Sequence, residues 1–142
     1  MRAKNKDEIM ERRGRAIKQG IRILGIDDSP FDKFGKKKDV LLIGVVWKNG
    51  VIEGILSSKV KLDGSDANEK IKKMILTSRF SNQIKLILLN GIMVAGFNVV
   101  NIRALSRELG IPVIAITRRK PSSEKVRNAI IKIRKFSKRV KE

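Results

Sequence analysis

Two apolar runs that each stop on polar oxygen donors organise the hydrophobic pattern of this chain. Ile21-Arg22-Ile23-Leu24-Gly25-Ile26 ends on Asp27-Asp28 and is followed by Ser29-Pro30. A short run rich in Ile and Leu, closed by turn formers, predicts a buried strand. Pro30 cannot donate to a ladder, so the strand ends there and holds the aspartates at its mouth. Ile84-Lys85-Leu86-Ile87-Leu88-Leu89 predicts another buried strand, ending on Asn90-Gly91. Between them, β-rich residues 40–47 and 51–62 flank Asn49-Gly50. Asn-Gly accepts the positive φ of a type I′ turn, so strands two and three form an antiparallel hairpin. Residues 111–117 predict a fifth strand, with Pro112 in its first positions, where a missing donor is tolerated.

Helical spacing fills the gaps. Residues 5–20 carry a thin apolar stripe of Ile9, Ala16 and Ile17 among Arg12, Arg13, Arg15 and Lys18, which predicts a surface helix. Asp66 with Glu69 three positions on reads as an N-cap and its capping-box partner, opening a helix to about Ser78 that buries Ile71, Met74 and Ile75. After a glycine-bearing loop over 90–96, a helix over 99–109 buries Ile102, Leu105 and Leu109, and Gly110 caps it. Pro121-Ser122-Ser123 starts a last, strongly basic helix with the stripe Val126, Ile130, Ile133. A strand, a hairpin and two right-handed crossovers give an α/β fold: a mixed five-stranded sheet in the order 3-2-1-4-5, with helices on both faces. Strands one and four then run parallel as neighbours, and Asp27 and Asn90 share one crevice. The expected organisation is a single domain over 1–142, with a surface helix in 1–20 and a basic helix in 121–142.

Composition narrows the chemistry. There is no Cys and no His, which removes thiolate nucleophiles, disulfides and imidazole-based zinc sites or bases. No apolar run is long enough to cross a bilayer and the N-terminus lacks a hydrophobic signal core, so a cytoplasmic protein without membrane contact is expected. The charge is lopsided: 33 Lys and Arg against 14 Asp and Glu, a formal +19 on 142 residues. Such an excess favours a polyanionic partner, and nucleic acid, DNA or RNA, is the expected one.

Carboxylate and amide oxygens suit Mg²⁺ or Mn²⁺. Asp27, Asp63 and Asn90 are therefore the candidate metal ligands, with Asp27 and Asp63 as the candidate catalytic pair; Asp28 and Asp66 are the other acids near the strand tips. Each has a plain structural alternative. Asp-Asp-Ser-Pro is turn chemistry, the unused member of the Asp27-Asp28 pair capping through Ser29; Asp63 is a turn former and Asp66 an N-cap. Lys36, Lys37 and Lys38 in the loop after strand one, and Arg118, Arg119 and Lys120 after strand five, are the candidate phosphate contacts. With no Tyr, five Phe and one Trp, base-stacking platforms are not evident, and Phe31, Phe34 and Trp47 read as core or loop anchors.

Five segments, in order, resemble a known family: Leu24-Gly25-Ile26-Asp27-Asp28; Gly54-Ile55-Leu56-Ser57; Asp63-Gly64-Ser65-Asp66-Ala67; Ile87-Leu88-Leu89-Asn90-Gly91 with Ala95-Gly96-Phe97-Asn98; and Gly110-Ile111-Pro112-Val113-Ile114 with Arg118-Arg119-Lys120-Pro121. They look like an uncharacterised archaeal protein family related to endonuclease V. The resemblance implies a ribonuclease H-like fold and a metal-dependent nuclease ancestry. Asp27 matches the first-strand acid of endonuclease V, and Arg118 its basic residue after the fifth strand. Departures are as informative. Asn90 stands where endonuclease V has Asp, Lys59-Val60 stands where it has Arg-Glu, and the Pro-Tyr-Ile-Pro wedge is missing from the hairpin. Two readings follow: a nucleic-acid-binding relative with a depleted metal site, or an active Mg²⁺- or Mn²⁺-dependent endonuclease using Asp27 and Asp63.

Overall fold

The protein is described by a computed structural model covering residues 20–117. The expected helices in 1–20 and 121–142, and Arg118, Arg119 and Lys120, lie outside the described residues. The elements in order are β1 (Arg22–Asp28), β2 (Asp39–Lys48), β3 (Val51–Lys61), α1 (Ala67–Leu76), β4 (Ile84–Asn90), β5 (Met93–Val94), β6 (Asn98–Val99), α2 (Ile102–Leu109) and β7 (Val113–Ile116).

The principal sheet has the order β3-β2-β1-β4-β7, with β5 and β6 as a separate two-stranded piece. β7 is the fifth strand of the sequence reading, so the expected order is the observed one. β1 is antiparallel to β2 and parallel to β4, and β4 is parallel to β7. The β2–β3 hairpin turns at Asn49 (φ 49°) and Gly50 (φ 83°), the left-handed pair that a type I′ turn requires.

Strand alternation divides the sheet into two unlike faces. Leu24 and Ile26 of β1, Val40, Leu42 and Val46 of β2, Val60 of β3 and Ile87 and Leu89 of β4 are buried with Ile71, Met74 and Ile75 of α1 and Leu105 of α2 in one core. Both helices lie on this face, packed against β3 and β7 and against each other. On the other face Leu41, Trp47, Ile55, Ile114 and Ile116 are exposed. No helix among the described residues is long and apolar enough to cross a membrane.

Four local expectations change. α1 begins at Ala67 and ends at Leu76, and Asp66 makes no side-chain capping bond. α2 begins at Ile102 because Asn101 caps it, its side chain accepting from the Ala104 N–H at 3.0 Å; Leu105 is its one fully buried residue, and Gly110 closes it in the left-handed conformation at φ 65°. The glycine-bearing loop contains the β5–β6 hairpin. Phe34 is 97% exposed and anchors no core, whereas Phe31 packs against it.

Candidate functional site

The parallel pairing of β1 with β4 carries Gly25 beside Leu88 and Ile26 beside Leu89. The next pair along is Asp27 and Asn90, at the C-terminal tips of both strands. The Asn90 Nδ2 donates to Asp27 Oδ2 at 2.9 Å, and Asp27 Oδ1 accepts the Asp28 N–H at 2.9 Å. Both side chains are exposed on the sheet face that the described helices leave uncovered. Beneath them lies a shallow hollow of about 510 Å³, lined by Gly25, Ile43, Val45, Leu88 and Ile116 as well as by the Asp27–Asn90 pair.

Asp28 points the opposite way, as alternation demands. It does not cap through Ser29, whose N–H donates instead to the Leu41 carbonyl. Its Oδ2 accepts the Ala95 N–H at 2.6 Å. Burial pushes its carboxyl above the ordinary range, opposed by that backbone N–H and reinforced by the neighbouring Asp27. Asp63, at φ 51°, faces the same hairpin: its Oδ1 accepts the Phe97 N–H at 2.9 Å and its own N–H donates to the Ala95 carbonyl at 2.9 Å. A Cβ on Gly96, which sits at φ 81°, would run into the Asp63 carboxylate, so only glycine fits there.

Asp66 is drawn into the same arrangement. Its Oδ1 accepts from the Lys61 N–H at 3.1 Å and from Asn98 Nδ2 at 2.7 Å. Asn98 is fully buried; its Oδ1 accepts the Ala67 N–H at 3.0 Å, and its Nδ2 also donates to the Lys61 carbonyl at 3.0 Å. Thus Asn98, 31 residues away, satisfies a first-turn donor of α1 while the cap-position aspartate serves β3 and β6. Asn98 entered the sequence reading only as part of a resembling segment, and its role was not legible because its partners are distant along the chain.

Of the sequence-derived site residues, then, Asp27 and Asn90 are brought into contact, while Asp63 shares no hydrogen bond with either. No group of three or more acidic, His or Cys side chains poised for a metal occurs among the described residues. Val60, which the resemblance pairs with a glutamate, is fully buried. Lys36, Lys37 and Lys38 are exposed at the same end of the sheet, and the Lys38 carbonyl accepts the Leu62 N–H at 2.7 Å, tying the lysine loop to the end of β3.

A family model described as Endonuclease dU matches residues 19–142. A UPF0215 protein of Methanothermobacter thermautotrophicus is 45% identical over 117 residues, covering 82% of this chain and 57% of that protein. A UPF0215 protein of Pyrococcus furiosus is 40% identical over 119 residues, covering 83% and 61%. The chain spans about three fifths of the length of these curated relatives. A solved protein of unknown function from Archaeoglobus fulgidus matches with a TM-score of 0.73 at 40% identity, covering 85% of this chain and 67% of that one. Endonuclease V of Ciona intestinalis, in complex with a 24mer DNA containing an inosine followed by a ribo-adenosine, matches with a TM-score of 0.50 at 15% identity, covering 94% and 70%. Endonuclease V of Bacillus subtilis gives 0.51 at 13% identity, covering 84% and 59%. At those identities the last two show a shared fold, the ribonuclease H-like sheet.

Proposed function

The chain belongs to the endonuclease dU family, and from that premise we propose that it binds nucleic acid as an endonuclease V relative whose metal and catalytic site is reduced to Asp27 and Asn90. The observation that carries this reading is the way the acids at the sheet's C-terminal edge are used. Asp28 and Asp63 hold backbone N–H groups of the β5–β6 hairpin, Asp66 holds Lys61 and Asn98, and Asp27 alone stands beside Asn90 over an open hollow. One carboxylate and one amide oxygen fit a single Mg²⁺ or Mn²⁺ completed by waters and a phosphate. Among the described residues they leave no further uncommitted carboxylate at this hollow for the second ion of a two-metal site, which needs its ions about 3.5 to 4 Å apart. Such an ion, when bound, adds positive charge against a phosphate. The formal +19, the exposed Lys36, Lys37 and Lys38, and Arg118, Arg119 and Lys120 supply the rest of the attraction in this reading. Residues 1–142 are taken as one domain.

The family's description favours a second reading: a Mg²⁺- or Mn²⁺-dependent endonuclease in which Asp63 leaves the hairpin to join Asp27. Labelled DNA and RNA strands, plain or bearing deoxyuridine or inosine, incubated with and without Mn²⁺, separate the two. Salt-sensitive retention without cleavage is the expected result. Mn²⁺-dependent cleavage lost in Asp27→Ala would establish the second reading, and no retention at low salt would remove the nucleic-acid assignment.

A further inference from the structure

The register of the open sheet face places a line of polar and basic groups beside Asp27. Asp27 pairs with Ile43 of β2, and Ile43 with Ser57 of β3; one pair further out, Leu41 pairs with Lys59, and then Asp39 with Lys61. Paired residues of a sheet point to the same side and alternate residues repeat it, so Asp27, Ser57, Lys59 and Lys61 share one face. Ser57, Lys59 and Lys61 are exposed. Strand and residue spacings put Lys59 about 12 Å from Asp27. That distance is within about four nucleotides of a strand rising 3.4 Å each.

Resting on the nucleic-acid reading above, we propose that this face carries a phosphate track running from Asp27 and Asn90 across Ser57 to Lys59 and Lys61, along which a nucleic-acid backbone lies. Asp39 positions the far end: its Oδ1 accepts from Lys61 Nζ at 2.6 Å, which fixes the ammonium over the strand pair and leaves its remaining donors for phosphate. Lys59 makes no salt bridge to a described residue. The Lys38 carbonyl bond to Leu62 brings the loop with Lys36, Lys37 and Lys38 to the same end, so the track closes on a basic corner. Between the ends the track passes Leu41, Ile43 and the Ser57 hydroxyl, and the exposed Trp47 of this face lies away from it, beside Ile23, which suits backbone contact without sequence readout. Sequence reasoning met Lys59 only opposite an endonuclease V arginine and passed over Lys61 because, taken alone, both are solvent-facing positions of an alternating strand.

The test is fluorescence anisotropy of a labelled single strand against the whole chain over a salt series, comparing Lys59→Gln/Lys61→Gln with Lys48→Gln/Lys85→Gln. The second pair removes the same charge from the opposite end of the sheet. For two lost phosphate contacts the slope of log K against log salt should fall by about 1.4 in Lys59→Gln/Lys61→Gln. It should stay near wild type in the control pair. Equal losses in both pairs, or wild-type binding by Lys59→Gln/Lys61→Gln, overturn the track while leaving nucleic-acid binding intact. A wild-type chain that is not retained at low salt removes the underlying reading instead.

Discussion

The two sides of one sheet edge use the same residue type for opposite purposes. On the helix side, Asp28 and Asp63 accept N–H groups from residues 67 and 34 positions away and fasten the β5–β6 hairpin to the strands. On the open side, Asp27 accepts from its neighbour's N–H and from the exposed side-chain amide of Asn90, 63 positions away, and fastens no distant backbone. A carboxylate that ties down backbone is part of the fold, and a metal must compete with those bonds to take it. One that holds only a surface amide can be given to a ligand at small cost. The difference explains how an edge carrying Asp27, Asp28, Asp63 and Asp66 presents a single exposed acid toward the hollow.

The largest effect that would sharpen this contrast lies at Asn98, the buried amide joining α1, β3 and Asp66. Asn98→Ala leaves the Ala67 N–H without its partner in a water-poor place, and takes one donor each from the Asp66 carboxylate and from the Lys61 carbonyl, which keeps the Gly64 N–H at 3.1 Å. Chemical denaturation should show a loss of about 3 kcal/mol or more. Next comes a matched pair of truncations. Asp63→Ala frees the Phe97 N–H and puts alanine at φ 51°, so a loss of about 1–2 kcal/mol is expected. Asp27→Ala should stay within about 0.5 kcal/mol of wild type, as an exposed site does. Equal losses from the two would erase the distinction between them.

The sheet was legible in the sequence because its signals are local. Two apolar runs ending in polar tips, and Asn49-Gly50 between β-rich stretches, determine strand order and direction without reference to distant residues. The helix side of the edge was not legible, because its meaning lies in long-range bonds. Asp66 and Glu69 have capping-box spacing, yet the Asp66 carboxylate is taken by Lys61 and Asn98. The two-residue strands β5 and β6 have no periodicity to detect; they exist where Ala95, Gly96 and Phe97 meet Asp28 and Asp63. Asp27 and Asn90 were found because the parallel pairing of two strongly apolar strands predicts the meeting of their tips.

The smallest expected effect is on pH dependence, at Asp39 on the open face. The hydrogen bond from Lys61 holds its carboxyl below the usual value of 3.8, and holds Lys61 above 10.5. A carboxyl with a depressed folded-state pKa contributes stability above 3.8 and loses it as pH falls through the lower folded value. A lysine with a raised one loses its contribution as pH climbs past 10.5. Asp39→Asn should therefore flatten both limbs slightly in urea midpoints measured against pH, the effect being small because both groups are solvent-exposed.

Amide hydrogen exchange at Ala95 and Phe97, followed with and without Mg²⁺, tests the contrast most directly. If Asp28 and Asp63 are committed to the hairpin, both amides exchange slowly and their rates are unchanged by the ion. A rise of about tenfold or more in those rates on adding Mg²⁺ would mean that the carboxylates leave the backbone for metal, and the account of a site reduced to Asp27 and Asn90 would be wrong.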